Sequence, residues 1–265
     1  MTTGTLERLY MAPRDTSSNP SPAWDHDSLR DPHGRTDKAQ RVQAMFDAIA
    51  PTYERINNIA TFGRDAVWRR RAVAAANVQA TDVILDVACG TGDMIRAFAR
   101  CQPPPARIVG VDFSREMLSR GNYMGINTPI ELLEADALAL PLPVSSVDVI
   151  SCAFGVRNFQ DLDAGLTEMR RVARPGARLV ILEFAPPDRR LSRWAYEFYC
   201  RAVLPWLGWL IARDRVGAYR YLSRSVETFV SRRQLAARLE QVGFQNVTTR
   251  CMNLGGVVLY RAERA

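Results

Sequence analysis

A chain of 265 residues, 47% hydrophobic and 24% charged, can bury a full core and suits one domain of about 200 to 225 residues plus a tail. The net charge of +7 comes almost entirely from arginine, and both histidines, His26 and His33, lie in the first forty residues. That placement argues against a histidine general base and a His-rich metal site, so no metal is expected.

In chain order, residues 1–40 carry Pro13, Pro20, Pro22 and Pro32 among Ser, Asp and Gly. So few aliphatics cannot offset the entropy of ordering, and the expectation is a disordered tail ahead of a domain at 41–265. A basic start followed by an apolar stretch, the mark of a cleavable signal, is missing. Helices are predicted from Val42 to Ala50, ended by Pro51, and from Arg64 to Ala76. Strand-like runs follow at Val83–Ala88, Arg107–Asp112, Ile130–Ala135, Val147–Ala153 and Ala177–Phe184, with helical stretches at Met94–Arg100, Ser114–Arg120 and Asp161–Val172 between them. Such alternation implies a parallel sheet covered on both faces. The last two runs, Phe244–Cys251 and Gly256–Ala262, have no helix between them and should pair antiparallel. The expected architecture is therefore an α/β, Rossmann-like, doubly wound sheet of seven strands with an antiparallel terminal hairpin. Cys89, Cys101, Cys152, Cys200 and Cys251 lack C-x-x-C spacing and read as reduced core thiols.

The stretch V-I-L-D-V-A-C-G-T-G-D (83–93) runs a strand straight into a glycine turn. Gly90 and Gly92 permit a tight bend and bring backbone N–H groups close to a ligand. Asp112, ending the second strand, can accept the hydroxyls of a ribose. A dinucleotide fingerprint would need a third glycine where Ile95 stands, and a P-loop would need a lysine after the glycines. A nucleoside cofactor without phosphates remains. S-adenosylmethionine (SAM) fits, with Asp86 and the loop carbonyls receiving its ammonium.

In a sheet of this kind the ligand lies beyond the carboxyl ends of the strands. Asp136 and Ala137 follow the third strand, where the carboxylate can take the adenine amino group and the Ala137 N–H can donate to a ring nitrogen. Phe154-G-V-R-N158 follows the fourth. An arginine and an asparagine there call for a polar or anionic ligand, since both would be costly to bury unpaired. Glu183 ends the fifth strand.

These residues resemble the SAM-dependent C-methyltransferases of ubiquinone and menaquinone biosynthesis, from about Val42 to the C-terminus. The resemblance rests on M-F-D-A-I-A-P-T-Y-E-R-I-N-N (45–58), L-D-V-A-C-G-T-G-D (85–93), F-G-V-R-N (154–158), E-M-R-R-V-A-R-P-G-A-R-L-V-I-L-E-F (168–184), Y-R-Y-L (219–222) and N-L-G-G-V-V (253–258). It implies the class I methyltransferase fold and SAM contacts at Thr91, Asp112, Asp136 and Ala137. A further SAM contact is implied at Ala153, where many members carry a serine. It also implies methyl transfer to a ring carbon of a polyprenylated quinol, demethylmenaquinol or the corresponding benzoquinol. Arg157 is then expected to steady the developing phenolate, with Asn158 positioning the ring, Tyr53 or Tyr219 as positioning or relay groups, and an ordered water as first choice of proton acceptor.

Between Asp188 and Arg233 ten arginines face four acids, interleaved with Trp194, Tyr196, Phe198, Tyr199, Trp206 and Trp209. The apolar stretch 202–212 is too short to span a bilayer, which takes about 20 residues. A helical lid over 188–230 touching an anionic membrane is one reading, and a helix pair whose aromatics fill the core is the other. The expected location is cytoplasmic, at the inner face of the membrane, with a homodimer compatible. Nucleic acid is not an expected partner, because the N/D-P-P-Y/F loop of base methylation is replaced by A-F-G-V-R-N; the alternatives to the quinol reading are a SAM-dependent methyltransferase acting on another small molecule or on nucleic acid, and a noncatalytic scaffold binding SAM or quinol.

Overall fold

Alternation of side chains along each strand explains how one sheet acquires two cores. Leu85, Val87, Val109, Ile150, Leu179 and Ile181 face one side; Ile84, Ile108, Val149, Val180 and Leu182 face the other. The computed structural model describes residues 24–187, 193–194 and 217–265; the side chains of Ile56 and Tyr219 are outside that description.

The strands are β1 Val83–Val87, β2 Arg107–Asp112, β3 Ile130–Glu134, β4 Val147–Ala153, β5 Ala173–Phe184, β6 Phe244–Met252 and β7 Val257–Arg264. They form one sheet in the order β3-β2-β1-β4-β5-β7-β6. The first five run parallel, and β7 lies antiparallel between β5 and the edge strand β6. The helices are α1 Lys38–Ile49, α2 Tyr53–Thr61, α3 Asp65–Ala76, α4 Asp93–Ala99, α5 Arg115–Ser119, α6 Leu162–Val172, α7 Ala218–Glu227 and α8 Arg232–Gln241. Leu166 and Met169 of α6 and Leu235 and Leu239 of α8 pack on the first face; Trp68 and Ala72 of α3 and Phe98 of α4 pack on the second. Side-chain caps fix several starts: Ser114 accepts from the Met117 N–H, Asp161 from the Ala164 N–H, and Ser231 with Gln234 forms a reciprocal capping box.

Three expectations are corrected. The segment 24–40 is not a loose tail: Trp24 is buried and stacks on Tyr221 with ring centroids 4.2 Å apart. His33 Nε2 lies 2.9 Å from the Ser225 carbonyl, and Lys38, the first residue of α1, is buried. Their apolar partners come from α1 and α7, so composition judged over forty residues could not reveal them. Strand β5 begins at Ala173, not Ala177, because Ala173 pairs with Val147 ahead of a register shift. Cys251 is exposed, since β6 is an edge strand; Cys89 and Cys152 are buried, Cys101 is half-buried, and Cys200 lies outside the described residues. So do residues 1–23 and, except for Arg193 and Trp194, the span 188–216 that carries most of the expected lid. Among the described residues no helix is long and apolar enough to cross a membrane, and no cluster of His, Cys, Asp and Glu suits a metal.

Candidate active site

At the carboxyl end of β1 the backbone turns sharply, with Ala88 at φ 54°, Gly90 at φ 56° and Gly92 at φ 85°. A side chain at Gly92 would lie 2.2 Å from the Tyr123 hydroxyl, whereas the Cβ side of Gly90 is open space. One face of the turn is thus packed and the other is available to a ligand. Asp112 fastens it: Oδ2 accepts from the Gly90 N–H at 2.8 Å and Oδ1 from the Ser114 N–H at 2.9 Å. Burial pushes its carboxyl up to about 6 against the lowering pull of those two amides.

Beneath the turn, Asp86 is buried, and its Oδ1 accepts from the Ser151 hydroxyl at 2.5 Å. Burial raises this acid further, to about 7. Its Oδ2 has no partner, nor has the hydroxyl of buried Thr91. Unsatisfied buried polar atoms are costly, and two of them flanking a ligand-facing glycine are what an amino-acid headgroup would satisfy.

Beside the turn opens a pocket whose empty space, counting the part open to solvent, is about 670 Å³. Of the residues expected from sequence, Gly90, Asp112, Asp136, Ala137, Ala153, Asn158 and Tyr53 line it together. Gly92, Asp86, Thr91 and Arg157 do not reach its wall, and the Tyr219 side chain lies outside the described residues. Asp136 accepts the Leu138 N–H at 3.0 Å, which fixes the carboxylate at the end of β3. At Ala153 a methyl group stands where a serine would offer a hydroxyl.

Arg157 differs from its expected role. It is buried, its Nη1 donates to Glu183 Oε1 at 2.7 Å and to the Phe154 carbonyl at 2.6 Å, and its charge is therefore already paired. An unpaired guanidinium could not have been held at this depth, so the fold supplies Glu183 from the end of β5. The guanidinium fixes a strained turn instead of waiting for a substrate oxygen: Phe154 sits at φ 60°, and its N–H donates to the Leu182 carbonyl at 2.7 Å.

Asn158 shares that anchor. Its Nδ2 donates to the same Phe154 carbonyl at 3.4 Å, and its Oδ1 accepts from the Tyr221 hydroxyl at 3.0 Å. Tyr53 sits edge-on to Phe46, and burial raises its phenol above the ordinary value, so it stays protonated.

Sequence reasoning missed the contribution of α1. Ala39 and Phe46 line the pocket, with Phe113, Met117, Phe159 and Gln160. The helix is tied down at both ends. Near its start the Ala39 N–H donates to Gln160 Oε1 at 2.9 Å and Lys38 Nζ donates to the Phe159 carbonyl. Further along, Gln43 donates to the Phe113 carbonyl and Asp47 accepts from the Ser114 hydroxyl. Lys38 is the chain's single lysine, and burial pulls it down to about 8. Its apolar neighbours signalled a helix face, but nothing local said that this face closes a ligand pocket.

With this geometry in place the comparisons decide the family. A model of the ubiE/COQ5 methyltransferase family matches residues 35–263. The chain belongs to the ubiE/COQ5 methyltransferase family. It is a SAM-dependent methyltransferase. The demethylmenaquinone methyltransferase of Thermus thermophilus is 42% identical, over 83% of this chain and all of that protein. The ubiquinone/menaquinone biosynthesis C-methyltransferase UbiE of Geobacter sulfurreducens is 40% identical, over 86% of this chain and 90% of that protein. Among solved structures, a SAM-dependent methyltransferase from Aquifex aeolicus superposes with a TM-score of 0.57 at 19% identity, covering 80% of this chain and 98% of that one. This last likeness shows the fold alone, the class I SAM methyltransferase fold expected from sequence.

Proposed function

We propose that this methyltransferase transfers the SAM methyl group to a ring carbon of a polyprenylated quinol, converting demethylmenaquinol to menaquinol or completing the corresponding benzoquinol step. The observation that carries the reading is one cavity with an acid for a ribose, Asp112, and an oriented amide, Asn158, on its wall. SAM, when bound, supplies an electrophilic methyl group on a sulfonium. Asp112 would hold the ribose and Asp136 with Ala137 the adenine; Asp86 and Thr91, which lie behind the wall, would act on the amino-acid end through the turn that covers them.

A ring carbon becomes nucleophilic once the neighbouring phenol loses its proton. Asn158, offering a donor and not an acceptor, lowers the energy of the resulting oxyanion. Phe46 and Tyr53 flank the ring and keep it in line with the methyl group, and such alignment is worth several kcal/mol. The phenol proton leaves to water, because Tyr53 stays protonated and His33 faces the Ser225 carbonyl. Formation of the ring carbon–methyl bond breaks the sulfur–methyl bond, and loss of the ring carbon's own proton to water, with a proton regained by the oxygen, restores the aromatic quinol. Arg157 is a positioning residue here: it holds the turn that carries Asn158. A lipid surface is the natural source of such a substrate, and the chain's basic, aromatic character supports contact with an anionic membrane.

The test is turnover of purified enzyme with SAM and either demethylmenaquinol or the demethylated benzoquinol, read by mass spectrometry. A gain of one methyl on the ring carbon supports the reading; SAM binding with no methylation of either quinol sinks it.

A further inference from the structure

Helix α2 starts at Tyr53, on the pocket wall, and its C-cap Phe62 lies about 13 Å away by helix rise. Phe62 is 79% exposed, and as the cap of α2 it adopts φ 52° and ψ 37°, a left-handed conformation that aromatic residues rarely occupy. Among the described residues, packing does not account for a large apolar side chain held in solvent on an unfavourable backbone. Ile59 is also exposed, and Arg55, Ile59 and Phe62 are spaced by four and three residues, one stripe of α2. Beyond the turn, exposed Val67, Arg70 and Arg71 share the solvent face of α3, opposite buried Trp68, Ala72 and Val73.

Charge is sorted across this surface. Arg55, Arg64, Arg70 and Arg71 are exposed, and none has an ion-pair partner among the described residues. The nearby acids are neutralised: Glu54 pairs with Arg96 at 2.7 Å, and Asp65 lies against the Thr61 hydroxyl and Arg69. An apolar tip ringed by exposed arginines matches an anionic bilayer, whose interior takes the aromatic and whose headgroups take the guanidinium groups.

We infer that the α2–α3 turn, led by Phe62 and Ile59, dips into an anionic membrane surface with Arg55, Arg64, Arg70 and Arg71 on the headgroups. The pocket then opens toward lipid one helix length away, which deepens the quinol reading above because a polyprenyl tail resides there.

The experiment is flotation of the full chain with vesicles of phosphatidylcholine alone or mixed with phosphatidylglycerol, without substrate. The wild type should float with the anionic vesicles, less so in high salt. The I59S/F62S variant and an R64A/R70A/R71A variant should each lose about tenfold in partition. SAM affinity should stay unchanged in both, which shows that they fold. Unaltered flotation of I59S/F62S overturns the inference. So does loss of a dimer on gel filtration, which would assign the patch to a second copy. A drop in melting temperature with flotation intact does so as well, since the patch would then serve the protein's own packing. Failure of the quinol reading would show in turnover and leave flotation untouched.

Discussion

The Tyr221 hydroxyl donates to Asn158 Oδ1 at 3.0 Å, and this contact decides what Asn158 offers the pocket. The Phe154 carbonyl can only accept, so the amide nitrogen must face it, leaving the oxygen to Tyr221. Tyr221 is buried and stacked on Trp24, and burial pushes its phenol well above the ordinary range, so it remains a donor at any working pH. Asn158 accordingly presents hydrogens to a substrate oxygen. The Y221F variant should lower kcat about 10- to 100-fold while leaving SAM affinity as it is, because only the amide's orientation is released. Unchanged kcat would show that the amide is held without help.

The buried pair of Arg157 and Glu183 should behave as a structural clamp. Removing one charge strands the other, so E183Q should cost about 3 kcal/mol of stability, measurable by denaturant titration. If Glu183 contributes nothing to holding the turn, E183Q will unfold at the wild-type midpoint.

Binding of SAM should depend on pH. Burial raises Asp86 to about 7 and Asp112 to about 6 from the ordinary carboxyl value of 3.8. In the free protein both bind protons more tightly folded than unfolded. Their contribution to stability is therefore fully present below pH 3.8 and is lost as pH rises through about 6 to 7. A cationic cofactor selects the carboxylates, so its affinity should climb across the same window and level off above it. Calorimetry at pH 6 in buffers of different ionisation heat should register proton release as a buffer-dependent binding heat, and observed heats that are the same in every buffer would contradict the assignment. The D112A variant should weaken SAM by about 1 to 3 kcal/mol.

Trp24 should matter although it precedes the region matched by the family model. Its ring is buried between Tyr221 and the Arg41 guanidinium, whose centre lies 5.8 Å from the ring centroid. W24A should cost about 3 kcal/mol, a typical value for emptying a buried aromatic site. A loss of kcat beyond that of SAM affinity would place the segment in the support of Tyr221. Wild-type melting would mean the stack is dispensable.

Period-two apolar runs and the glycine turn sufficed to set the seven strands, their alternation with helices and the terminal antiparallel pair, because these depend on neighbours within a few residues. That Gly90, Asp112, Asp136, Ala137 and Asn158 would meet on one pocket wall was legible for a related reason: each stands at or soon after the end of a strand, and parallel strands deliver their carboxyl ends to one edge. What only the tertiary structure decided are the contacts between distant segments. It gave Arg157 a partner in Glu183 and Asn158 an orientation from Tyr221. It closed the pocket with Phe46, and buried Trp24 in a stretch whose own composition predicted disorder. Burial and pairing depend on which surfaces meet, and a local pattern of residues carries no record of that meeting.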